Sequence, residues 1–159
     1  MSDILEVGNK APDFTIPNQD GKNVNLENLS GKWAVIYFYP RDDTPGCTIE
    51  ANEFTELYSK FQDNNAVVIG ISPDNEAKHC KFIEKYELKV ELLADTEKTM
   101  LSDYGVWQEK SMYGKTYMGV VRTTYLINPD GNISEAWPKV KAKGHAEAVL
   151  NRLIELKEG

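Results

Sequence analysis

The chain has 159 residues, 41% hydrophobic and 27% charged, the balance of an ordinary globular protein, and one domain spanning 1–159 is expected. Its net charge of −7 argues against nucleic-acid binding, which needs a basic patch for phosphates. No apolar run is long enough to cross a membrane, and residues 1–6 lack the basic and apolar regions of a signal peptide, so a cytoplasmic address without membrane association is expected.

Residues 14–16 and 23–26 flank the turn Gln19-Asp20-Gly21-Lys22 and predict an N-terminal hairpin. The run Trp33-Ala34-Val35-Ile36-Tyr37-Phe38-Tyr39 reads as a buried strand, and residues 49–61 have helical period. A second buried strand is predicted over 66–72. A helix then opens at Pro73 and Asp74 and runs to about Tyr86. A short strand at 91–94 and a short helix at about 97–104 follow. Residues 107–118 are rich in aromatics and Met but have no clear period, and read as a loop, either near the active site as an apolar wall or simply packed on the surface. Strands at 120–127 and 132–137 pair across Asn128-Pro129-Asp130-Gly131, a good hairpin signal. Ala146, Val149, Leu150, Leu153 and Ile154 mark a C-terminal amphipathic helix. A strand–helix–strand unit of this length is most economically parallel with a right-handed crossover, so the order predicts an α/β fold with a mixed central sheet flanked by helices and an N-terminal hairpin extension.

The chemistry concentrates where the first buried strand turns into a helix, at Tyr39-Pro40-Arg41-Asp42-Asp43-Thr44-Pro45-Gly46-Cys47-Thr48. Thr44 suits the N-cap and Pro45 the first helical position, where no amide donor is needed. Cys47 then meets unpaired backbone N–H groups and the positive end of the helix dipole, which favour thiolate, the reactive species. Cys47, Ala51, Phe54, Tyr58 and Phe61 recur at helical steps, so the cysteine begins an inward stripe. A buried, inert cysteine is the alternative. Arg122 stands on an otherwise apolar predicted strand, where a charge needs a partner or a function, unless it faces outward at an edge. Glu50 can orient Arg122, but the helix surface near the N-terminus, where acids are favourable, is the preferred reading. His79 and His145 do not combine with the cysteines in metal-ligand spacing. The cluster Lys139-Val140-Lys141-Ala142-Lys143 reads as a solvated segment.

Pro40-x-x-x-Thr44-x-x-Cys47 resembles the peroxiredoxin active-site signature, and the longer run looks like the bacterioferritin-comigratory, or Q-type, branch. Other stretches agree in order along nearly the whole chain. They include Gly8-x-x-Ala11-Pro12-Asp13-Phe14, Gly70-Ile71-Ser72, Gly105-Val106-Trp107 and Arg122-Thr123-Thr124-Tyr125-Leu126-Ile127-x-x-Asp130-Gly131. The resemblance implies a thioredoxin fold and a thiol-dependent peroxidase that reduces hydrogen peroxide and small organic hydroperoxides through a cysteine sulfenic acid. Thioredoxin or a similar thiol donor would recycle it, with no cofactor or metal, in a monomer.

Peroxide reduction needs a thiolate, a means of orienting the O–O bond and stabilisation of charge on the departing oxygen. Cys47 would be the nucleophile and rise to the sulfenic acid. Thr44 would hydrogen-bond thiolate or peroxide, and the amides of Gly46 and Cys47 would face the peroxide oxygens. Pro40 would shield the sulfur, or simply end the strand. The resemblance implies that Arg122 is the active-site arginine; Arg41, closer in sequence, occupies a position that varies in the family.

Many Q-type relatives carry a second cysteine five residues after the first, where this chain has Asn52. Cys80, 33 residues after Cys47, is the other cysteine. The branch also places a resolving cysteine in that helix, so Cys80 is a candidate, with His79 beside it to aid its ionisation. Its three-residue step from Ile83 suggests a partly inward side chain. Two helices on adjacent strands would ordinarily keep the sulfurs beyond disulfide reach, so pairing requires local unwinding. The alternative is a one-cysteine cycle with Cys80 incidental and an external thiol completing it. A thioredoxin-type disulfide oxidoreductase would need C-x-x-C, where this chain has Cys47-Thr48-Ile49-Glu50, and a non-catalytic redox sensor could use the same cysteine.

Overall fold

The computed structural model describes residues 4–159. The first three residues of the stretch read against a signal peptide lie outside them. Strands β1 (Thr15–Pro17) and β2 (Asn23–Asn25) form the N-terminal hairpin, in the register Thr15↔Asn25 to Pro17↔Asn23. A 3-10 turn, Leu26–Leu29, leads to β3 (Trp33–Phe38). The chain continues through α1 (Pro45–Glu56), α2 (Tyr58–Asp63), β4 (Ala66–Ser72), α3 (Glu76–Tyr86), β5 (Glu91–Ala94) and α4 (Thr99–Asp103). It ends through β6 (Trp107–Met112), β7 (Lys115–Val120), β8 (Thr123–Ile127), β9 (Ile133–Trp137) and α5 (His145–Glu158).

The main sheet has the order β5-β4-β3-β8-β9. β3 lies at its centre, parallel to β4 and antiparallel to β8, and β5 is parallel to β4. This is the mixed sheet expected. A strand covered on both faces reads as a continuous apolar run rather than an alternating one, which is why residues 33–39 are uniformly apolar or aromatic. Ala34, Ile36 and Phe38 enter one core with the hairpin, the 3-10 turn and α4. Val35, Tyr37 and Tyr39 enter the other with α1, α2, α5 and Phe82 of α3. Within it Phe54 of α1 stacks on Tyr37, ring centroids 4.7 Å apart, and Phe61 of α2 packs on Phe54. Truncating such a buried ring costs about 3–5 kcal/mol, so these contacts fix the helix that carries Cys47 against the sheet.

Three expectations need correction. The helix predicted through 61 is interrupted at Leu57 (φ −95°, ψ 3°), although Leu57 N–H still donates to the Glu53 carbonyl and Phe61 N–H to that of Leu57, so the hydrogen-bond ladder crosses the break. Residues 107–118 are not a loop. They form most of a two-stranded hairpin, β6–β7, closed by Tyr113 (φ 52°) and Gly114 (φ 77°), the paired positive φ of a type I′ turn. Both faces of its outer part are exposed, with Tyr113 at 96%, so burial imposes no two-residue alternation and the sequence carries no strand signal. Finally, Val120 closes β7 and β8 begins only at Thr123, which leaves Val121 and Arg122 in a two-residue link instead of on a strand.

Candidate active site

Pro45, Gly46 and Cys47 are the first three residues of α1, with Thr44 in extended conformation at the N-cap. The first-turn amides have no acceptor within the helix, and the Thr44 side chain makes no capping bond to them. Its hydroxyl instead donates to the Arg41 carbonyl at 3.0 Å, leaving the oxygen's lone pairs to accept. Pro40 lies past the end of β3, half-buried. Cys47 itself is 1% exposed and a free thiol.

The β7–β8 link brings Arg122 to this helix start. One guanidinium nitrogen, Nη2, donates to Cys47 Sγ at 3.3 Å, and the other, Nη1, donates to Glu50 Oε1 at 2.7 Å. The planar fork suits this double duty, holding two acceptors one helical turn apart. Gly46 makes room for it, because a Cβ at that position would lie 3.1 Å from Nη2. Arg122 keeps 17% of its side chain exposed, so the cation lies at the rim with the sulfur and Glu50 beneath it.

The surface reading of Glu50 is overturned. The residue is fully buried on the same stripe as Cys47, Ala51 and Phe54, and its Oε2 has no hydrogen-bond partner among the described residues. The three-residue step from Cys47 was the missed signal, since a charge so placed on an inward stripe must be partnered. Burial lifts its carboxyl from 4.5 to about 7, outweighing the arginine. A folded-state value raised above the unfolded one gives stability that is fully present below about pH 4.5 and lost as pH rises through about 7. The whole effect is at most roughly 3 kcal/mol. Glu50→Gln, measured against wild type by urea unfolding, will therefore gain relative stability between pH 5 and pH 8. A difference that does not change with pH would show the carboxylate to be ionised throughout.

Neither histidine reaches Cys47. His145 Nε2 bonds to the Thr124 hydroxyl at 2.8 Å, and burial with Arg122 nearby pulls it down to about 4, so it is neutral near pH 7. His79 is wholly buried in α3, with Nδ1 2.6 Å from Asp42 Oδ2 and Nε2 2.9 Å from the Leu93 carbonyl. The expectation that it aids Cys80 fails, because both its nitrogens are engaged elsewhere and Cys80 points away. Cys80 is exposed, not partly inward, and its thiol donates to the Gln19 carbonyl at 3.0 Å. The inward face of α3 runs through His79 and Phe82, a step that places Cys80 beside the stripe and not on it.

The sequence and the fold have counterparts. The AhpC/TSA family model matches residues 7–136. A putative peroxiredoxin bcp of Helicobacter pylori strain J99 is 47% identical over 149 residues, covering 94% of this chain and 98% of the relative. Peroxiredoxin Bcp of Bacillus subtilis strain 168 is 43% identical over 154 residues, covering 97% and 98%. Xanthomonas campestris peroxiredoxin Q superposes with a TM-score of 0.89 at 37% identity, covering 94% of this chain and 97% of that one. A second Xanthomonas campestris structure, concerned with alkyl peroxide reduction by its bacterioferritin comigratory protein, superposes equally well at 36% identity, covering 94% and 98%. The fold is thus a thioredoxin fold, and the relatives that share it over nearly the whole chain place the protein in the class of thiol-dependent peroxidases. The chain belongs to the AhpC/TSA family and, within it, to the Bcp or Q-type peroxiredoxins.

Proposed function

We propose that Cys47 is the peroxidatic residue and that Arg122, Thr44 and the first-turn amides of α1 assemble the peroxide around it. The observation that carries this reading is the 3.3 Å bond from Arg122 Nη2 to Cys47 Sγ at the start of α1. Negative charge on the sulfur is stabilised there by a permanent cation and by unpaired backbone donors. The thiolate attacks one peroxide oxygen, the O–O bond breaks, and sulfur becomes S–OH while the other oxygen leaves as alkoxide or hydroxide and takes up a proton. The amides of Gly46 and Cys47, with Arg122, face the developing charge. Thr44 accepts a hydrogen bond from the peroxide, and Pro40 limits water at the sulfur. Hydrogen peroxide and small organic hydroperoxides are the substrates in this reading. Alkyl peroxide reduction by the Xanthomonas campestris relative supports the organic class.

Cys80 is read as the resolving residue. Its sulfur attacks the sulfenic sulfur, the hydroxyl leaves as water, and a disulfide forms. An exposed Cys80 and a buried Cys47 cannot meet without rearrangement of α1, α3 or both. Thioredoxin or a similar dithiol then restores both thiols by exchange. This reading has the protein working as a monomer in the cytoplasm, where thiol donors are available.

Intact-mass analysis after one equivalent of peroxide tests the cycle. A Cys47–Cys80 linkage is expected; persistent sulfenic or sulfinic acid on Cys47 would assign the one-cysteine cycle with Cys80 incidental. Cys80→Ser will leave the rate of the first oxidation unchanged and halt the protein at the sulfenic acid. A Cys80→Ser protein that peroxide cannot oxidise would refute the division of roles.

A further inference from the structure

One buried polar network lies outside the peroxide site and between the two cysteine-bearing segments. Tyr39, just beyond β3, donates its hydroxyl to Asp42 Oδ1 at 2.5 Å. Asp42 Oδ2 meets His79 Nδ1 on α3, and His79 Nε2 meets the Leu93 carbonyl on β5. That carbonyl can only accept, so Nε2 carries the hydrogen of this contact. The Asp42 backbone N–H donates to Asp74 Oδ2 at 2.7 Å, and Asp74 is held in turn by the Ser72 hydroxyl and by Lys78. On the surface Asp43, at φ 59°, takes bonds from Lys85 Nζ at 2.8 Å and Tyr86 Oη at 2.6 Å, both at the far end of α3.

The segment between Pro40 and Thr44 is thus tied to α3 along most of the helix. A groove lined by Arg41, Thr44, Lys78, Lys81 and Phe82 separates the two, so the polar bonds span what side-chain packing leaves open. His79 directly precedes Cys80, and Asp42 lies two residues before the Thr44 cap of the Cys47 helix. α3 cannot unwind its first turns without drawing His79 out of the core and releasing Asp42.

We propose that Tyr39, Asp42 and His79 are positioning residues that latch the Cys47 helix start to the Cys80 helix, so that both loosen together and the latch sets the rate of disulfide formation. The inference rests on Cys80 being the resolving residue. Closed, the latch holds the helix start in the form that meets peroxide. Open, it frees both cysteines to approach. Buried hydrogen bonds to charged groups are the strong class, so losing one should raise the open population about tenfold or more.

The test separates the two chemical steps by rapid-quench mass analysis. His79→Gln and Asp42→Asn will speed first-order disulfide formation about tenfold while leaving the second-order oxidation of Cys47 nearly unchanged. Tyr39→Phe, which keeps the ring and removes one bond, will do the same to a smaller degree, and serves if the other two variants do not fold. A merely structural role predicts the opposite split, with lower thermal stability and no gain in the disulfide step. An unchanged or slower disulfide step in Tyr39→Phe overturns the latch. Wild type that never forms the disulfide overturns instead the assignment of Cys80. In that event amide exchange in Cys80→Ser decides the latch: Tyr39→Phe must speed exchange in residues 40–48 and 76–86 together, and acceleration in one segment alone refutes it.

Discussion

Cys47→Ser will abolish peroxide turnover and leave the fold in place. The substitution replaces one atom at a position 1% exposed, among Ala51, Phe54 and Tyr37, and the smaller hydroxyl keeps Arg122 Nη2 as its hydrogen-bond partner. Burying a hydroxyl unpaired would cost about 1–3 kcal/mol, and the arginine offsets most of that, so the thermal midpoint will move by only a few degrees. Chemistry is lost because a serine hydroxyl is not ionised near neutral pH and has no equivalent of the sulfenic acid. Peroxide consumption with dithiothreitol as donor measures it, without any assumption about the natural reductant. Turnover above the rate of the dithiol alone, in a protein shown by mass to lack Cys47, would move the nucleophile elsewhere.

Arg122→Ala will lower the second-order rate of Cys47 oxidation by about 10²–10³, the usual effect of losing one preorganised donor to developing charge. One guanidinium contacts both the sulfur and Glu50, so the substitution removes a stabiliser of the thiolate and of the departing oxygen together. Arg122→Lys will recover part of the rate. It keeps the charge but not the planar fork, so it can serve Sγ or Glu50 well but not both. The alanine variant also leaves the buried Glu50 without its partner; the carboxyl takes up a proton and keeps unpaired oxygens, at a cost of about 1–3 kcal/mol, so part of a rate loss can come from a loosened site. Adding Glu50→Gln separates the two effects: the double variant will regain stability but not rate. Stopped-flow oxidation at wild-type speed in Arg122→Ala would remove the arginine from the mechanism.

Both predictions turn on contacts of different legibility. Cys47 and its stripe were readable because a helix start is a local object. Its N-cap, its proline and its apolar steps at 47, 51 and 54 lie within ten residues, and their physics does not depend on the rest of the chain. The strand 66–72 was equally legible, as was 91–94, since burial on both faces writes a continuous apolar run. Thr44 was readable as a cap position but not as a donor to Arg41, because a hydroxyl chooses its partner only once the loop before it is folded.

Glu50 and His79 illustrate the reverse case. Each has the spacing of an inward position, yet a charged or titratable residue on an apolar stripe carries no sign of where its partner will come from. The partners are Arg122, 72 residues from Glu50, and Asp42, 37 residues from His79. The outer hairpin was lost for a different reason. With both faces of its outer part in water, no burial pattern marks residues 109–112 or 115–118, and only the turn at Tyr113 and Gly114 betrays them.

From the chain alone come the α/β class, the sheet-building strands and a cysteine at the head of a helix, because each depends on residues close together in sequence. Folding decided which groups surround that cysteine. The β7–β8 link delivers Arg122 to the sulfur, burial turns Glu50 from a surface acid into the arginine's anchor, and packing sends Cys80 outward while His79 goes in. Such pairings are set by strand order and register, which bring together segments that no local period relates.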